Sequence, residues 1–190
     1  MASTYKELLA GIDTFLFDVD GVFTDNRVLL MPGLDPVRTF HSRDAYAVQH
    51  ARKEGYRIVI TTGGKSDGVR ESFGRLRVEE YFDHVHDKSA KLDELIAAKG
   101  LDPARTAYMG DDLPDLRVMQ RVALPCCPAD AAEEIKAVSR FISAKPGGHG
   151  CVRDLLEPVS YTHLDVYKRQ TLRPTITAPG LLMRSIRMSK

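Results

Sequence analysis

The chain has 190 residues, 43% of them hydrophobic and 28% charged, with a formal net charge of +1, which suits one domain of about 100 to 200 residues and leaves no room for a second large one. The near-neutral balance argues against a general nucleic-acid binder, which needs a basic face to displace counterions. No apolar run approaches the roughly 18 residues of a membrane-spanning helix, and the start, Met1-Ala-Ser-Thr-Tyr-Lys-Glu7, lacks the basic segment and apolar core of an export signal, so a cytoplasmic protein with no membrane contact is expected.

Apolar runs of strand length alternate with segments of helical period, the signature of β-α units around a parallel sheet. The first strand is expected at Thr14 to Val19. Gly21 to Phe40 follows, broken by Pro32, Gly33 and Pro36, too irregular for a crossover helix and better read as a hairpin-like flap. The next helix is expected to open at the N-cap Asp44, to bury Ala45, Val48 and Ala51 in part, and to stop at Gly55. Arg57 to Thr62 reads as a buried strand, Gly63-Gly64 as the turn into a helix from Ser66 to Leu76, and Asp83 to His86 as a short strand. Lys88 to Lys99 carries Leu92, Leu95 and Ile96 at helical spacing and ends at Gly100. Thr106 to Met109 is the next strand and leads into Gly110-Asp111-Asp112. Helices at Leu113 to Arg121 and Ala129 to Val138 alternate with strands at Val122 to Cys126 and Arg140 to Ser143, and Gly147-Gly-His-Gly150 introduces a last helix through Leu156. Cys126, Cys127 and Cys151 form no Cys-x-x-Cys pair and are expected to be reduced, buried and structural. Past Pro158 the pattern fails. Residues 1–158 are read as the folded domain and residues 159–190 as a foreign or disordered tail, the stretch Ser160 to Gln170 resembling translated adapter sequence.

In an open parallel sheet, ligands collect at the carboxyl ends of the strands. That edge is expected to gather Asp18 and Asp20, Thr62, the turn before Lys88, and Asp111 with Asp112. One Asp-x-Asp is a weak signal, because turn carboxylates usually serve caps or solvation; four separated segments meeting at one edge are a stronger one. Several carboxylates repel a phosphomonoester unless a divalent cation reverses the field. Magnesium prefers hard oxygen donors, and the expected ligands are the side chains of Asp18 and Asp111 and the backbone carbonyl of Asp20. Asp18 is then the nucleophile and Asp20 the proton carrier. Thr62, the amides of Gly63 and Gly64 at a helix start, and Lys88 are expected to hold phosphoryl oxygens, with Asp20 beside them and Lys91 as a rival cation. Asp112 and Asp115 are read either as supports for the metal or Lys88, or as charges favouring the following helix start. Arg43 and Arg153 are candidate anion contacts or structural ion pairs. His149 faces substrate or solvent.

These residues resemble the haloacid dehalogenase superfamily of phosphatases, whose ordered motifs are matched by Asp18-Val-Asp20-Gly21-Val, Thr62-Gly63, Lys88 and Gly110-Asp111-Asp112 across Ile12 to Glu157. Phe40-His-Ser-Arg-Asp-Ala-Tyr-Ala-Val, Tyr108-Met-Gly-Asp-Asp-Leu-Pro-Asp and Gly147-Gly-His-Gly-Cys-Val-Arg-Asp are similar to a capless branch of lipopolysaccharide precursor synthesis. That branch removes phosphate from an eight-carbon 3-deoxy-ulosonate 8-phosphate. The resemblance implies a Rossmann-like α/β sheet with helices on both faces, magnesium, and a homotetramer in which the flap and neighbouring subunits replace a cap domain. A nine-carbon ulosonate 9-phosphate is the rival substrate, and a non-catalytic module of a nucleotide-sugar synthetase the rival function. Relatives often carry Thr-Gly-Arg where this chain has Thr62-Gly63-Gly64-Lys65, so the cation facing the substrate carboxylate is Lys65 or comes from elsewhere.

Overall fold

A computed structural model describes residues 5–33 and 35–158; the expectation of a foreign or disordered tail over 159–190 lies outside them. Six strands, β1 (Thr14–Phe17), β2 (Arg57–Thr61), β3 (Glu80–Phe82), β4 (Thr106–Met109), β5 (Leu124–Cys127) and β6 (Phe141–Ile142), form one sheet in the order β3-β2-β1-β4-β5-β6. Every pairing is parallel. Strand order reverses beside β1, whose neighbours are β2 and β4, so the crevice at the carboxyl end of β1 is where such a sheet receives a ligand.

Alternation along each strand divides the core into two layers. Phe15, Phe17, Ile58, Ile60 and Met109 pack with the helices α1 (Tyr5–Leu9), α2 (Ser42–Lys53), α3 (Asp67–Arg75) and α7 (residues 151–158). Leu16, Val59 and Tyr108 point the other way, onto α4 (Lys88–Lys99), α5 (Leu116–Met119) and α6 (Glu133–Val138). The central strands are buried on both faces, which is why they read as unbroken apolar runs. Helices therefore cover both faces, as expected for a Rossmann-like sheet. The flap leaves β1 and closes on itself through one antiparallel bridge, Leu29 with Val37. Neither the β1–α2 nor the β2–α3 connection carries a domain-sized insertion, so no cap covers the crevice among the described residues. No helix among them is long and apolar enough to cross a membrane.

Several local expectations need correction. The strand after α3 lies at Glu80–Phe82 and not at Asp83 to His86. Pairing stops where Asp83 turns to Arg70 (2.7 Å) and His84 takes a left-handed φ of 53°, which ends the extended backbone. Asp44 does not cap α2. The helix begins at Ser42, and Asp44 sits in its first turn with its carboxylate accepting the amides of Gly150 (3.1 Å) and Arg153 (2.7 Å), so it caps the start of α7 from across the fold. Ala47 joins Val48 and Ala51 in the core, while Ala45 is half-buried. Leu113 to Arg121 is a 3-10 turn, Leu113–Asp115, followed by the short α5, because Pro114 sits in the first turn and Asp115 turns inward. The later strands begin at Leu124 and Phe141, and α6 begins only at Glu133. The three cysteines are free and buried, and burial raises their thiol pKa values.

Candidate active site

Asp18 follows β1 directly, and its amide still donates to Met109 O (3.0 Å), so the sheet ladder fixes the carboxylate at the crevice. The chain then turns sharply at Gly21, φ 80°, where a Cβ would lie 1.9 Å from Asp111 Oδ2. Only glycine lets the turn after β4 close on the end of β1. That turn brings Asp111 beside Asp18, and the 3-10 turn after it sends Asp115 back underneath.

Carboxylate oxygens of Asp18, Asp111 and Asp115 lie within 4.8 Å of one another. One cation answers them: Lys88 Nζ is 2.9 Å from Asp18 Oδ2 and donates to Asp115 Oδ1 at 2.6 Å. Lys88 is the first residue of α4, whose N-terminus is capped by Asp87 accepting the amides of Ser89 and Ala90. The cap leaves the lysine stem free to run inward, and the residue is 7% exposed. Burial alone would lower the Lys88 pKa, but the charges of Asp18 and Asp115 outweigh it and hold it above its ordinary value. Asp115 also accepts the Tyr108 hydroxyl and, through Oδ2, the Asp111 amide (3.1 Å). It is a support for Lys88 and for the turn, with little lone-pair capacity left for an ion. Asp112 caps the 3-10 turn through the Leu113 amide (2.8 Å).

Burial, and then the neighbouring carboxylates, push Asp18 and Asp111 each up to about 7. Three carboxylates against one ammonium leave the protein holding excess negative charge in a desolvated corner, which protons or a cation must relieve. The oxygens of Asp18 and Asp111 face a cleft of about 310 Å³ also lined by Asp20, Thr62, Gly63 and Gly64. A set made of oxygen donors, with neither thiolate nor imidazole among the crowded groups, fits a hard divalent cation.

The sequence reading named Asp18, Asp20, Thr62, Gly63, Lys88 and Asp111, and the structure brings all six to this cleft. Thr62 Oγ1 accepts the Gly64 amide (3.2 Å), which orients the hydroxyl. The amides of Gly63 and Gly64 do not open a helix, however; α3 starts at Asp67 with Ser66 as its cap. Lys91 turns away to Glu94 and the Phe82 ring. Lys65 and Arg43 are exposed and outside the cleft lining, Arg153 pairs with Glu157, and His149 is exposed. Two contributors escaped the sequence reading. Asn26, at φ 63°, donates from Nδ2 to Asp111 Oδ2 (2.8 Å), and Arg38 grips Asp20. Both come from the irregular flap, where only the tolerance of Asn for left-handed backbone offered a hint.

Comparisons with known proteins agree with this geometry. Residues 80–154 match the model of the haloacid dehalogenase-like hydrolase family. The chain is 27% identical over 146 residues to 3-deoxy-D-manno-octulosonate 8-phosphate phosphatase KdsC of Escherichia coli K12, covering 77% of this chain and 78% of the relative. A solved structure from Pseudomonas syringae pv. phaseolica, described as a probable YrbI family phosphatase, superposes with a TM-score of 0.80 at 31% identity, covering 90% of this chain and 98% of that one. The 3-deoxy-D-manno-octulosonate 8-phosphate phosphatase of Moraxella catarrhalis, solved with magnesium, phosphate and KDO, superposes with a TM-score of 0.80 at 26% identity, over 87% of this chain and 97% of that one. With its sheet order, its carboxylate cluster and these relatives, the chain belongs to the haloacid dehalogenase-like hydrolases and is a phosphatase of that family.

Proposed function

We propose that the protein hydrolyses 3-deoxy-D-manno-octulosonate 8-phosphate to the free sugar acid and inorganic phosphate, with magnesium, through a phosphoryl group carried on Asp18. The observation that carries this reading is the Asp18 carboxylate, fixed at the end of β1 and held 2.9 Å from Lys88 beside Asp111. The side chains of Asp18 and Asp111 and the backbone carbonyl of Asp20 would hold magnesium, which would offset the negative charge of the nucleophile and of the phosphoryl group. Asp18 forms an O–P bond as the bond from phosphorus to the sugar oxygen breaks, and Asp20 gives that oxygen a proton. Asp20, now a carboxylate, takes a proton from water as the water attacks phosphorus; the Asp18–phosphorus bond breaks and phosphate leaves. Lys88 and the Thr62 hydroxyl hold the phosphoryl oxygens, with Asp115 and Tyr108 keeping Lys88 in place.

The KdsC-type relatives support the eight-carbon substrate; a role in lipopolysaccharide precursor synthesis, in the cytoplasm, goes with that proposal. The active domain is assigned to residues 1–158, which hold the sheet, its helices α1 to α7 and every residue of the cleft. A homotetramer is assigned on the flap, whose Val28, Leu29, Leu30 and Met31 expose apolar side chains. Phosphate release measured on the eight-carbon 8-phosphate and the nine-carbon 9-phosphate tests the substrate. A strong preference for the eight-carbon compound is expected, and preference for the nine-carbon compound overturns the assignment. A chain ending at Pro158 is expected to keep full turnover, and light scattering is expected to give four copies.

A further inference from the structure

The flap enters the crevice by both of its arms. Its outgoing arm sends Asn26 to Asp111, and its returning arm, one residue past the Leu29–Val37 bridge, sends Arg38 to Asp20. Arg38 makes a two-point fork: Nε donates to Asp20 Oδ1 (2.7 Å) and Nη2 to Asp20 Oδ2 (3.0 Å). Nη1 is tied to Pro36 O (3.3 Å) within the flap. The Arg38 side chain is only 9% exposed, and Thr24 Oγ1 donates to Asp20 Oδ1 (3.2 Å) from the far side. A planar guanidinium on a carboxylate fixes direction as well as distance. The fork also occupies space that any side chain at position 64 would need, since a Cβ on Gly64 would lie 3.0 Å from Arg38 Nη2 and 3.4 Å from Asp20 Oδ2.

We infer that Arg38 is a positioning residue for Asp20, by which the flap aims the proton-carrying carboxylate at the leaving oxygen. This inference rests on the phosphatase reading above, in which Asp20 serves the leaving group. Its test uses leaving-group chemistry. An alkyl phosphate such as the sugar 8-phosphate needs its departing oxygen protonated, whereas p-nitrophenyl phosphate releases a stable phenolate without that help. Water activation by Asp20 comes after phosphoryl transfer and is common to both compounds, so a residue that acts only by aiming Asp20 lowers kcat/KM for the first and hardly for the second, while either kcat can fall.

Arg38→Met keeps the stem and removes the fork, and Arg38→Lys keeps the charge without it. For Arg38→Met, kcat/KM on the sugar phosphate is expected to fall by about 10- to 100-fold, a part of the roughly 100- to 10,000-fold a general acid contributes, while kcat/KM on p-nitrophenyl phosphate stays within about threefold. Arg38→Lys is expected to recover part of the loss, and it carries the same comparison if the Met variant does not fold. In an Asp20→Asn background, Arg38→Met is expected to cost nothing further, because coupled residues are not additive. Equal losses of kcat/KM on both phosphates, or a full additional loss in the Asp20→Asn background, would overturn the inference; so would unchanged kcat/KM in both Arg38 variants. Failure of the phosphatase reading itself looks different: the wild-type protein would then release no phosphate from either compound.

Discussion

Two buried carboxylate sites in this molecule are built in opposite ways. Asp44 is 0% exposed, yet its oxygens are answered by the backbone amides of Gly150 and Arg153, groups that α7 would otherwise leave unpaired at its start. Asp18 and Asp111 are nearly as buried, but they crowd each other and Asp115 around one lysine. Where a carboxylate joins two parts of a fold, backbone dipoles answer it, here with the His41 imidazole 3.8 Å away, and the site is closed. Where it does chemistry, charge is left uncompensated and the site stays open to a cation and a dianion. The contrast separates the two kinds of aspartate better than burial does.

The sharpest way to break this contrast is to neutralise one residue of each kind. Asp18→Asn should lower phosphate release by on the order of a thousandfold or more, as loss of a nucleophile does. Its thermal midpoint should hold or rise, since a repelled, desolvated charge has gone while Lys88 keeps Asp115. Asp44→Ala should do the reverse. It leaves two amides without their acceptor and should cost about 1 to 3 kcal/mol, seen as a lower denaturation midpoint, with turnover per folded molecule little changed. A midpoint drop in Asp18→Asn equal to that of Asp44→Ala would erase the distinction.

The pH dependence sharpens it further. Asp18 and Asp111 are pushed from the ordinary 3.8 of an aspartate up to about 7 in the folded, cation-free protein, so between those values the folded state binds more protons than the unfolded one. Stability from this pair is therefore greatest below pH about 4 and falls as pH rises towards about 7. Asp44, also raised by burial, adds in the same direction. The melting midpoint of the cation-free Asp44→Asn variant should still fall across this window, and magnesium should reverse the fall most strongly above pH about 7, where its ligands are ionised. The smallest expected effect is that of Tyr108→Phe. It removes one donor to Asp115 while Lys88 and the Asp111 amide remain, a change of about 1 kcal/mol, read by melting with kcat lowered only severalfold.

How much of this was legible in the sequence follows from the range of the interactions. The central strands announce themselves because burial on both faces demands continuous apolar residues, as in Phe15-Leu16-Phe17 and Ile58-Val59-Ile60. Their order places Asp18, Thr62, Lys88 and Asp111 at one edge, so the chemical core could be read from spacing. The short β3 could not be placed, because Val85 between two histidines imitates strand alternation and the ion pair of Asp83 with Arg70 leaves no local pattern. Asp44 looks like a cap to its own helix, while its real partners are over a hundred positions away. Arg38 and Asn26 lie in a segment without periodicity, and only the three-dimensional path of the flap reveals what they hold.

The central claim is that Asp18 carries the phosphoryl group. Its most direct test is to quench the magnesium-loaded protein during turnover of the sugar phosphate, reduce with borohydride, and sequence the peptides by mass spectrometry. An acyl phosphate is reduced to the alcohol, so homoserine is expected at position 18, dependent on substrate and absent without it. Homoserine at position 20 or 111 instead, or turnover undiminished in Asp18→Asn, would contradict the account.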